Sequence, residues 1–122
     1  MKLLIIDDEQ ETVNMLERIF SLEGYTVTGT TQPHDALRLM GTELFDLILT
    51  DIQMPEVNGF ELLRELKKLN PRAGAILMSE CSSLSELIEY LSPGAAGYFI
   101  KPFTDLDLLI ETMNEVKNQV VN

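Results

Sequence analysis

Four short apolar runs, each followed at once by polar residues, constrain the fold of this chain more than any other feature. The runs begin at Leu3, Leu47, Ala75 and Tyr98. The segments between them carry apolar residues at helical spacing, so buried strands alternate with amphipathic helices. Alternation at this length implies parallel strands joined by right-handed crossovers, with helices on both faces of one sheet.

A further segment, from Tyr25 to Thr30, differs from these four because large apolar residues alternate with threonine. Such alternation is typical of a strand with one wetter face, which belongs at an edge of the sheet. The runs that begin at Leu3, Leu47 and Ala75 are the most apolar and should be central. The sequence therefore predicts an α/β fold, a doubly wound (βα)5 domain with a five-stranded parallel sheet in the order 2-1-3-4-5.

Five helices are expected from the spacing of the apolar residues. Gly24 suits the end of the first helix, Pro33 the start of the second and Gly41 its end, and Asn70-Pro71 breaks the third. The apolar positions of the five helices, in chain order, are Val13, Leu16, Ile19 and Phe20; Ala36, Leu37 and Met40; Phe60, Leu63, Leu66 and Leu69; Leu84, Leu87, Ile88 and Leu91; and Leu106, Leu109, Ile110, Met113, Val116 and Val120.

Length, charge and cysteine content narrow the class of protein. A chain of 122 residues suits one domain with one core, so residues 1–122 are expected to form a single domain without an output module. No apolar stretch approaches the roughly 20 residues that span a bilayer, and the apolar run before Asp7 is too short for a signal peptide. We therefore expect a cytoplasmic protein. Its one cysteine, Cys81, cannot form an internal disulfide, which agrees with a reducing compartment. The net charge of −11 argues against binding to nucleic acid or an anionic membrane.

Polar residues follow four of the predicted strands. Asp7 and Asp8 follow the first strand, Asp51 the third, Ser79 the fourth and Lys101 the fifth. The carboxyl ends of parallel strands meet at one edge of a sheet, and ligands of open α/β folds bind at that edge. We therefore expect these residues to form one site.

The residue types suit phosphoryl transfer. Three neighbouring carboxylates, on Asp7, Asp8 and Asp51, repel one another, and Mg²⁺ would relieve the repulsion because it prefers oxygen ligands. Asp51 could then act as a nucleophile, with Lys101 and Ser79 contacting phosphoryl oxygens. Singly, each residue has an ordinary structural explanation, such as a helix N-cap, a turn or a solvated lysine. Their coincidence at four strand ends favours the site.

The chain resembles the receiver domains of two-component response regulators along its whole length. The resemblance implies a flavodoxin-like fold and a phosphorelay function, in which Asp51 accepts a phosphoryl group from a phosphohistidine of a sensor histidine kinase or phosphotransfer protein. It further implies a signalling domain that catalyses only its own phosphotransfer and dephosphorylation, and whose change of conformation controls an output domain or partner. The motifs that carry the resemblance are Ile6-Asp7-Asp8-Glu9, Leu49-Thr50-Asp51-Ile52-Gln53-Met54-Pro55, Asn58-Gly59, Met78-Ser79 and residues 94–103.

The resemblance also implies a metal-binding set. Asp8 and Asp51 match residues that bind Mg²⁺ directly, and Asp7 matches an acid that acts mainly through bound water. Gln53 would contribute its backbone carbonyl.

The resemblance assigns the switching roles as well. Ser79 matches the hydroxyl that moves toward the phosphoryl group, Tyr98 the aromatic residue that rotates inward behind it, and Lys101 the lysine that contacts the phosphate. The bond between Lys101 and Pro102 is expected to be cis, which would direct Lys101 into the site. Relatives often form homodimers through the fourth helix, fifth strand and fifth helix, which here is the face from about Leu84 to Val120.

Glu80 departs from the family pattern, which usually has alanine or glycine directly after the switch hydroxyl. A carboxylate there would repel an anionic phosphodonor and restrict access of water to the phosphoryl group, so Glu80 is expected to modulate both reactions. Alternatively, Glu80 faces solvent and changes little.

Three other functions fit the residues less well than a receiver does. A phosphatase of the haloacid dehalogenase kind would need an aspartate two residues after the nucleophile, where this chain has Gln53. A flavin-binding module would need a hydroxyl- and glycine-rich phosphate loop after the first strand, where Asp7-Asp8-Glu9 would repel phosphate. The third is a receiver-like adaptor that no longer uses phosphate, which Glu80 makes conceivable and the intact set of acids, serine and lysine argues against.

Overall fold

The computed structural model describes residues 1–55, 57–79, 95–101 and 105–121. Five strands form the main sheet: β1 (Lys2–Ile6), β2 (Thr26–Thr30), β3 (Leu47–Asp51), β4 (Gly74–Ser79) and β5 (Gly97–Ile100). The order across the sheet is β2-β1-β3-β4-β5, and all neighbouring strands are parallel. This order confirms the predicted topology, with the threonine-rich strand at an edge and the three most apolar strands in the centre.

Helices cover both faces of the sheet, as predicted. The described helices are α1 (Gln10–Leu22), α2 (Pro33–Thr42), α3 (Gly59–Leu69) and α4 (Leu106–Val121). α1 and α4 share one hydrophobic core with the sheet, and α2 and α3 share the other. The helix predicted around Leu84 to Leu91 lies outside the described residues. In the part of the chain that the structure describes, no helix is both long and apolar enough to cross a membrane.

Each central strand contributes side chains to both cores, because successive side chains in a strand point to opposite faces. The core under α2 and α3 includes Leu4 of β1 and Leu77 of β4, both fully buried. The core under α1 and α4 includes the residues that follow them, Ile5 and Met78, which are also fully buried. Near-continuous apolar strands therefore reflect burial on two sides.

The helix ends follow the sequence signals closely. α1 ends at Leu22, and Gly24 follows with φ of 94°, a left-handed conformation that glycine adopts without steric cost. Pro33 lies in the first turn of α2, which continues one residue past the predicted end at Gly41. In α3 the buried face differs from the prediction: Leu62 is buried, whereas Leu69, the last residue of the helix, is 48% exposed.

A short antiparallel hairpin between β3 and α3 was not predicted. Gln53–Met54 pairs with Val57–Asn58, and Gln53 lies opposite Asn58. The Asn58 side chain then caps α3 by accepting hydrogen bonds from two backbone N–H groups of the first turn. Gly59 lies directly against the loop after Asp51, since a β-carbon on Gly59 would be 2.7 Å from the carbonyl oxygen of Ile52. The hairpin therefore fixes the chain that leaves Asp51.

Candidate functional site

The carboxyl ends of β1, β3, β4 and β5 bring the predicted polar residues together at one edge of the sheet. Asp7 is fully buried, and Asp51, Ser79 and Lys101 are 4%, 1% and 9% exposed. Asp8 is exposed beside them. Buried charges and hydroxyls need partners, and the contacts of these residues show how the cluster is held.

The two buried aspartates have the same local geometry. In each, one carboxylate oxygen accepts a hydrogen bond from the backbone N–H two residues ahead. Asp7 Oδ1 accepts from Glu9 N at 2.9 Å, and Asp51 Oδ1 accepts from Gln53 N at 2.9 Å. Aspartate side chains commonly form this hydrogen bond to the backbone two residues ahead, in an Asx turn. The Oδ2 atom of each aspartate is then left for other partners.

Lys101 joins the two carboxylates. Its Nζ donates to Asp7 Oδ2 at 2.5 Å and to Asp51 Oδ2 at 3.1 Å, across 94 and 50 residues of sequence. The Lys101 backbone N–H donates to the Ser79 carbonyl at 2.7 Å, which ties the end of β5 to the end of β4. One buried ammonium group thus compensates two buried carboxylates only in part, and a net negative charge remains.

The environment shifts the pKa values of Asp51 and Lys101. Burial raises the pKa of Asp51, and the Gln53 N–H and the charge of Lys101 offset this only partly, while Asp7 raises it further. Burial alone would lower the pKa of Lys101. The hydrogen bond to Asp7 and the charges of Asp51 and Asp7 outweigh burial, so the pKa of Lys101 is raised. Lys101 therefore remains protonated at neutral pH.

The carboxylates also fit a divalent cation. Asp7, Asp8 and Asp51 each place one oxygen so that the three atoms lie within 4.8 Å of one another. Two oxygens on opposite sides of one Mg²⁺ would be about 4.2 Å apart, because each Mg²⁺–oxygen bond is about 2.1 Å. Small side-chain movements would therefore bring all three oxygens to one ion. Asp8, as the exposed member, gives the cluster a side that is open to solvent.

Ser79 contacts Gln53, and sequence reasoning missed this contact. The Ser79 hydroxyl donates to Gln53 Oε1 at 3.0 Å. The family resemblance implied only a backbone role for Gln53. The direction of its side chain depends on the hairpin, which was not predicted. Residue type alone carried no signal for the contact.

The structure thus brings together Asp7, Asp8, Asp51, Ser79 and Lys101, with Gln53 beside them. Tyr98 lies on β5 opposite Leu77 of β4, but its side chain is outside what the structure describes. Glu80 and the bond between Lys101 and Pro102 also fall outside the described residues.

The chain is similar to known proteins in sequence and in fold. Residues 3–114 match the model of the response regulator receiver domain family. Among solved structures, the response regulator TrrA from Thermotoga maritima, in complex with Mg²⁺-BeF, is 28% identical with a TM-score of 0.83, over 94% of this chain and 97% of that one.

Two curated relatives are 36% identical to the chain. The transcriptional regulatory protein ZraR of Salmonella typhimurium aligns over 113 residues, which are 93% of this chain and 25% of that protein. The response regulator SaeR of Staphylococcus aureus aligns over 112 residues, which are 92% of this chain and 49% of that protein. The chain therefore spans a quarter to a half of the length of these relatives. With the family match extending over most of its residues, the chain belongs to the response regulator receiver domain family.

Proposed function

We propose that this chain is a phosphorylation-switched receiver in which Asp51 accepts a phosphoryl group from a phosphohistidine of a sensor histidine kinase or phosphotransfer protein. The observation that carries the proposal is the position of Asp51, 4% exposed at the carboxyl edge of the sheet, with Lys101 on one oxygen and Asp7 and Asp8 beside it. Membership of the receiver family supports the same assignment.

In the proposed reaction a carboxylate oxygen of Asp51 bonds to phosphorus as the phosphorus–nitrogen bond of the phosphohistidine breaks. The imidazole nitrogen keeps the bonding electrons. Burial favours the neutral carboxyl of Asp51, so the Gln53 N–H and Lys101 are needed to stabilise the ionised form that attacks. These two groups thus prepare the nucleophile.

Mg²⁺ is the proposed cofactor. Asp8, Asp51 and the Gln53 carbonyl would hold it, with Asp7 acting through bound water. When bound, the ion supplies positive charge that offsets the charge of the phosphoryl oxygens. Lys101 can contribute a second positive charge, because its Nζ already lies 3.1 Å from Asp51. In the proposed reaction Lys101 would turn from the carboxylates toward a phosphoryl oxygen.

The proposed output is a change of conformation. Ser79 would donate its hydroxyl to the phosphoryl group, and Tyr98 would follow by rotating inward. The domain would act as a cytoplasmic signalling module that catalyses only its own phosphorylation and dephosphorylation. Residues 1–122 would form one receiver domain whose state controls an output domain or partner.

Two further features belong to the proposal. Glu80 is assigned a modulating role. Glu80→Ala should accelerate both phosphorylation by acetyl phosphate and dephosphorylation, by about twofold to thirtyfold. Equal rates in Glu80→Ala and the parent would remove that role.

A homodimer would use the surface from about Leu84 to Val120. The described part of this surface exposes Ile100, Leu106 and Leu108, at 39%, 40% and 50%. Light scattering with and without phosphorylation would detect dimerisation.

The direct test uses acetyl phosphate as donor and the intact mass of the protein as readout. The parent should gain one phosphoryl group with Mg²⁺ and none with EDTA. Asp51→Asn should gain none, whereas Asp107→Asn, which alters an exposed aspartate on α4, should behave like the parent. Phosphoryl incorporation into Asp51→Asn at the parent rate would show that the nucleophile is another residue.

A further inference from the structure

We propose that the Gln53 side chain is a latch on the switch hydroxyl, holding Ser79 in the unphosphorylated position until a phosphoryl group displaces it. The inference rests on the proposed function and adds a positioning residue to it. Nothing in the sequence suggested this role, since Gln53 was expected to act through its backbone carbonyl alone.

A hydrogen bond joins the side chains of Ser79 and Gln53. The Ser79 hydroxyl donates to Gln53 Oε1 over 3.0 Å. A serine hydroxyl has one hydrogen to donate. Ser79 cannot donate to Gln53 and to a phosphoryl oxygen at the same time, so the bond to Gln53 must break before Ser79 can bind the phosphoryl group.

The backbone of Gln53 is hydrogen-bonded to Asp51, the proposed nucleophile. Its N–H donates to Asp51 Oδ1 at 2.9 Å, and its strand pairs with Asn58 in the short hairpin. Close approach of Gly59 to Ile52 holds the base of this hairpin. Gln53 therefore contacts the phosphoacceptor through its backbone and the switch hydroxyl through its side chain.

A phosphoryl oxygen and the amide oxygen of Gln53 differ in strength as hydrogen-bond acceptors for Ser79. A hydrogen bond to a charged oxygen is roughly twice as strong as one between neutral groups. A phosphoryl oxygen on Asp51 is therefore a better acceptor for Ser79 than the neutral amide oxygen of Gln53. Without a phosphoryl group the latch is favoured, and with one it opens. The side chain of Gln53 thereby opposes the active conformation in the unphosphorylated protein.

The test measures binding of beryllofluoride, a tetrahedral mimic of the phosphoryl group, by titration calorimetry at saturating Mg²⁺. Gln53→Met has a side chain of similar length and removes the acceptor. Gln53 is exposed, so the variant should fold, and thermal melting verifies this. Gln119→Met makes the same change at an exposed glutamine on α4 and is the matched control. Both substitutions are also made in a Ser79→Ala background.

Gln53→Met should bind beryllofluoride about two- to tenfold more tightly than the parent, because the net strength of one neutral hydrogen bond no longer has to be overcome. Gln119→Met should match the parent. In the Ser79→Ala background the gain from Gln53→Met should vanish, which a general effect on site access or stability would not produce.

Two results would overturn the latch while leaving the phosphoacceptor role of Asp51 intact. One is equal beryllofluoride affinity in Gln53→Met and the parent. The other is a gain that persists unchanged when Ser79 is alanine. If the parent itself does not bind beryllofluoride with Mg²⁺, the proposed function fails, and the latch fails with it.

Discussion

At the scale of single residues, Lys101 occupies the position of an internal counter-ion. Its ammonium group bonds to both Asp7 and Asp51, the carboxylates that a metal ion would also approach. A cation entering the cluster therefore meets repulsion from Lys101 as well as attraction from the acids. We therefore expect the lysine to stabilise the metal-free protein and to weaken the proposed Mg²⁺ binding through the same contacts.

Lys101→Met should test this double role. Without metal, the variant should be less stable by about 3–5 kcal/mol, because two buried carboxylates lose their partner. Its Mg²⁺ affinity should rise on the order of tenfold, since the repelling charge is gone. Titration calorimetry and urea unfolding in EDTA give both quantities.

The matched control for that variant is Lys68→Met, since Lys68 is an exposed lysine that pairs only with Glu65 among the described ion pairs. It should leave Mg²⁺ affinity unchanged. Weaker Mg²⁺ binding by Lys101→Met than by the parent would mean that Lys101 helps to build the metal site and does not compete with the ion.

The raised pKa of Asp51 predicts how stability depends on pH. A group whose pKa is higher in the folded protein contributes stability below its unfolded pKa, here 3.8, and that contribution is lost as pH rises through the folded pKa. The ionised Asp51 of the metal-free parent therefore opposes folding at neutral pH. Asp51→Asn should be more stable than the parent at pH 7, and the difference should shrink toward pH 4.

Urea unfolding in EDTA at the two pH values measures this difference, with Asp107→Asn as the control at an exposed aspartate. A parent that is more stable than Asp51→Asn at pH 7 would show that Lys101 and the Gln53 N–H outweigh the burial of the carboxylate.

The sequence predicted which residues meet at the site because each follows a strand, and the carboxyl ends of parallel strands meet at one edge. It could not predict the partners of those residues. The bond from Lys101 to Asp7 joins positions 94 residues apart, and the bond from Ser79 to Gln53 depends on the direction of a side chain in a hairpin. Such contacts depend on tertiary structure, so the residue types at these positions do not predict them.

At the scale of secondary structure, the hairpin after Asp51 positions the backbone that contacts the proposed phosphoacceptor, since Gln53 N–H donates to Asp51 Oδ1. It carries Gln53, ends in the Asn58 cap of α3 and is held where Gly59 meets Ile52. A substitution that disturbs the contact between Gly59 and Ile52 should therefore alter the geometry around Asp51 through the backbone.

Gly59→Ala should lower the free energy of unfolding by about 1–3 kcal/mol, because the new methyl group would collide with the Ile52 backbone. It should also slow phosphorylation by acetyl phosphate, since the loop that bonds to Asp51 must move. Gly41→Ala is the matched control: a β-carbon at Gly41 meets nothing within 4 Å, and alanine within α2 should add roughly 0.5–1 kcal/mol. Equal stability of Gly59→Ala and the parent would contradict the close approach.

Within the described residues, the helices and the five strands of the main sheet were predicted correctly, and the two-residue strands of the hairpin were not. β1, β3 and β4 are buried on both faces and read as continuous apolar runs. The hairpin strands have two residues each, too few for any period to be visible. The apolar positions expected along α3 included Leu69, which is the last residue of the helix and is 48% exposed, and omitted Leu62, which is buried.

At the scale of the whole molecule, one sheet separates two cores and directs the polar ends of four strands to a single edge. Burial on both faces makes the strands rigid, so the positions of Asp7, Asp51 and Ser79 are set by the core. The parts proposed to change with phosphorylation are side chains and loops at that edge. The core framework and the residues proposed to switch are therefore separate parts of the same domain.

We expect Asp51 alone to carry the phosphoryl group. Borohydride reduces an aspartyl phosphate to homoserine, so peptide mass spectrometry after treatment with acetyl phosphate, Mg²⁺ and borohydride locates the modified residue directly. We expect homoserine at position 51 and unmodified aspartate at positions 7 and 8. Homoserine at position 7 or 8 would contradict a phosphoacceptor role of Asp51 alone. Homoserine at an aspartate outside the site, when Asp51 is unmodified, would contradict it as well.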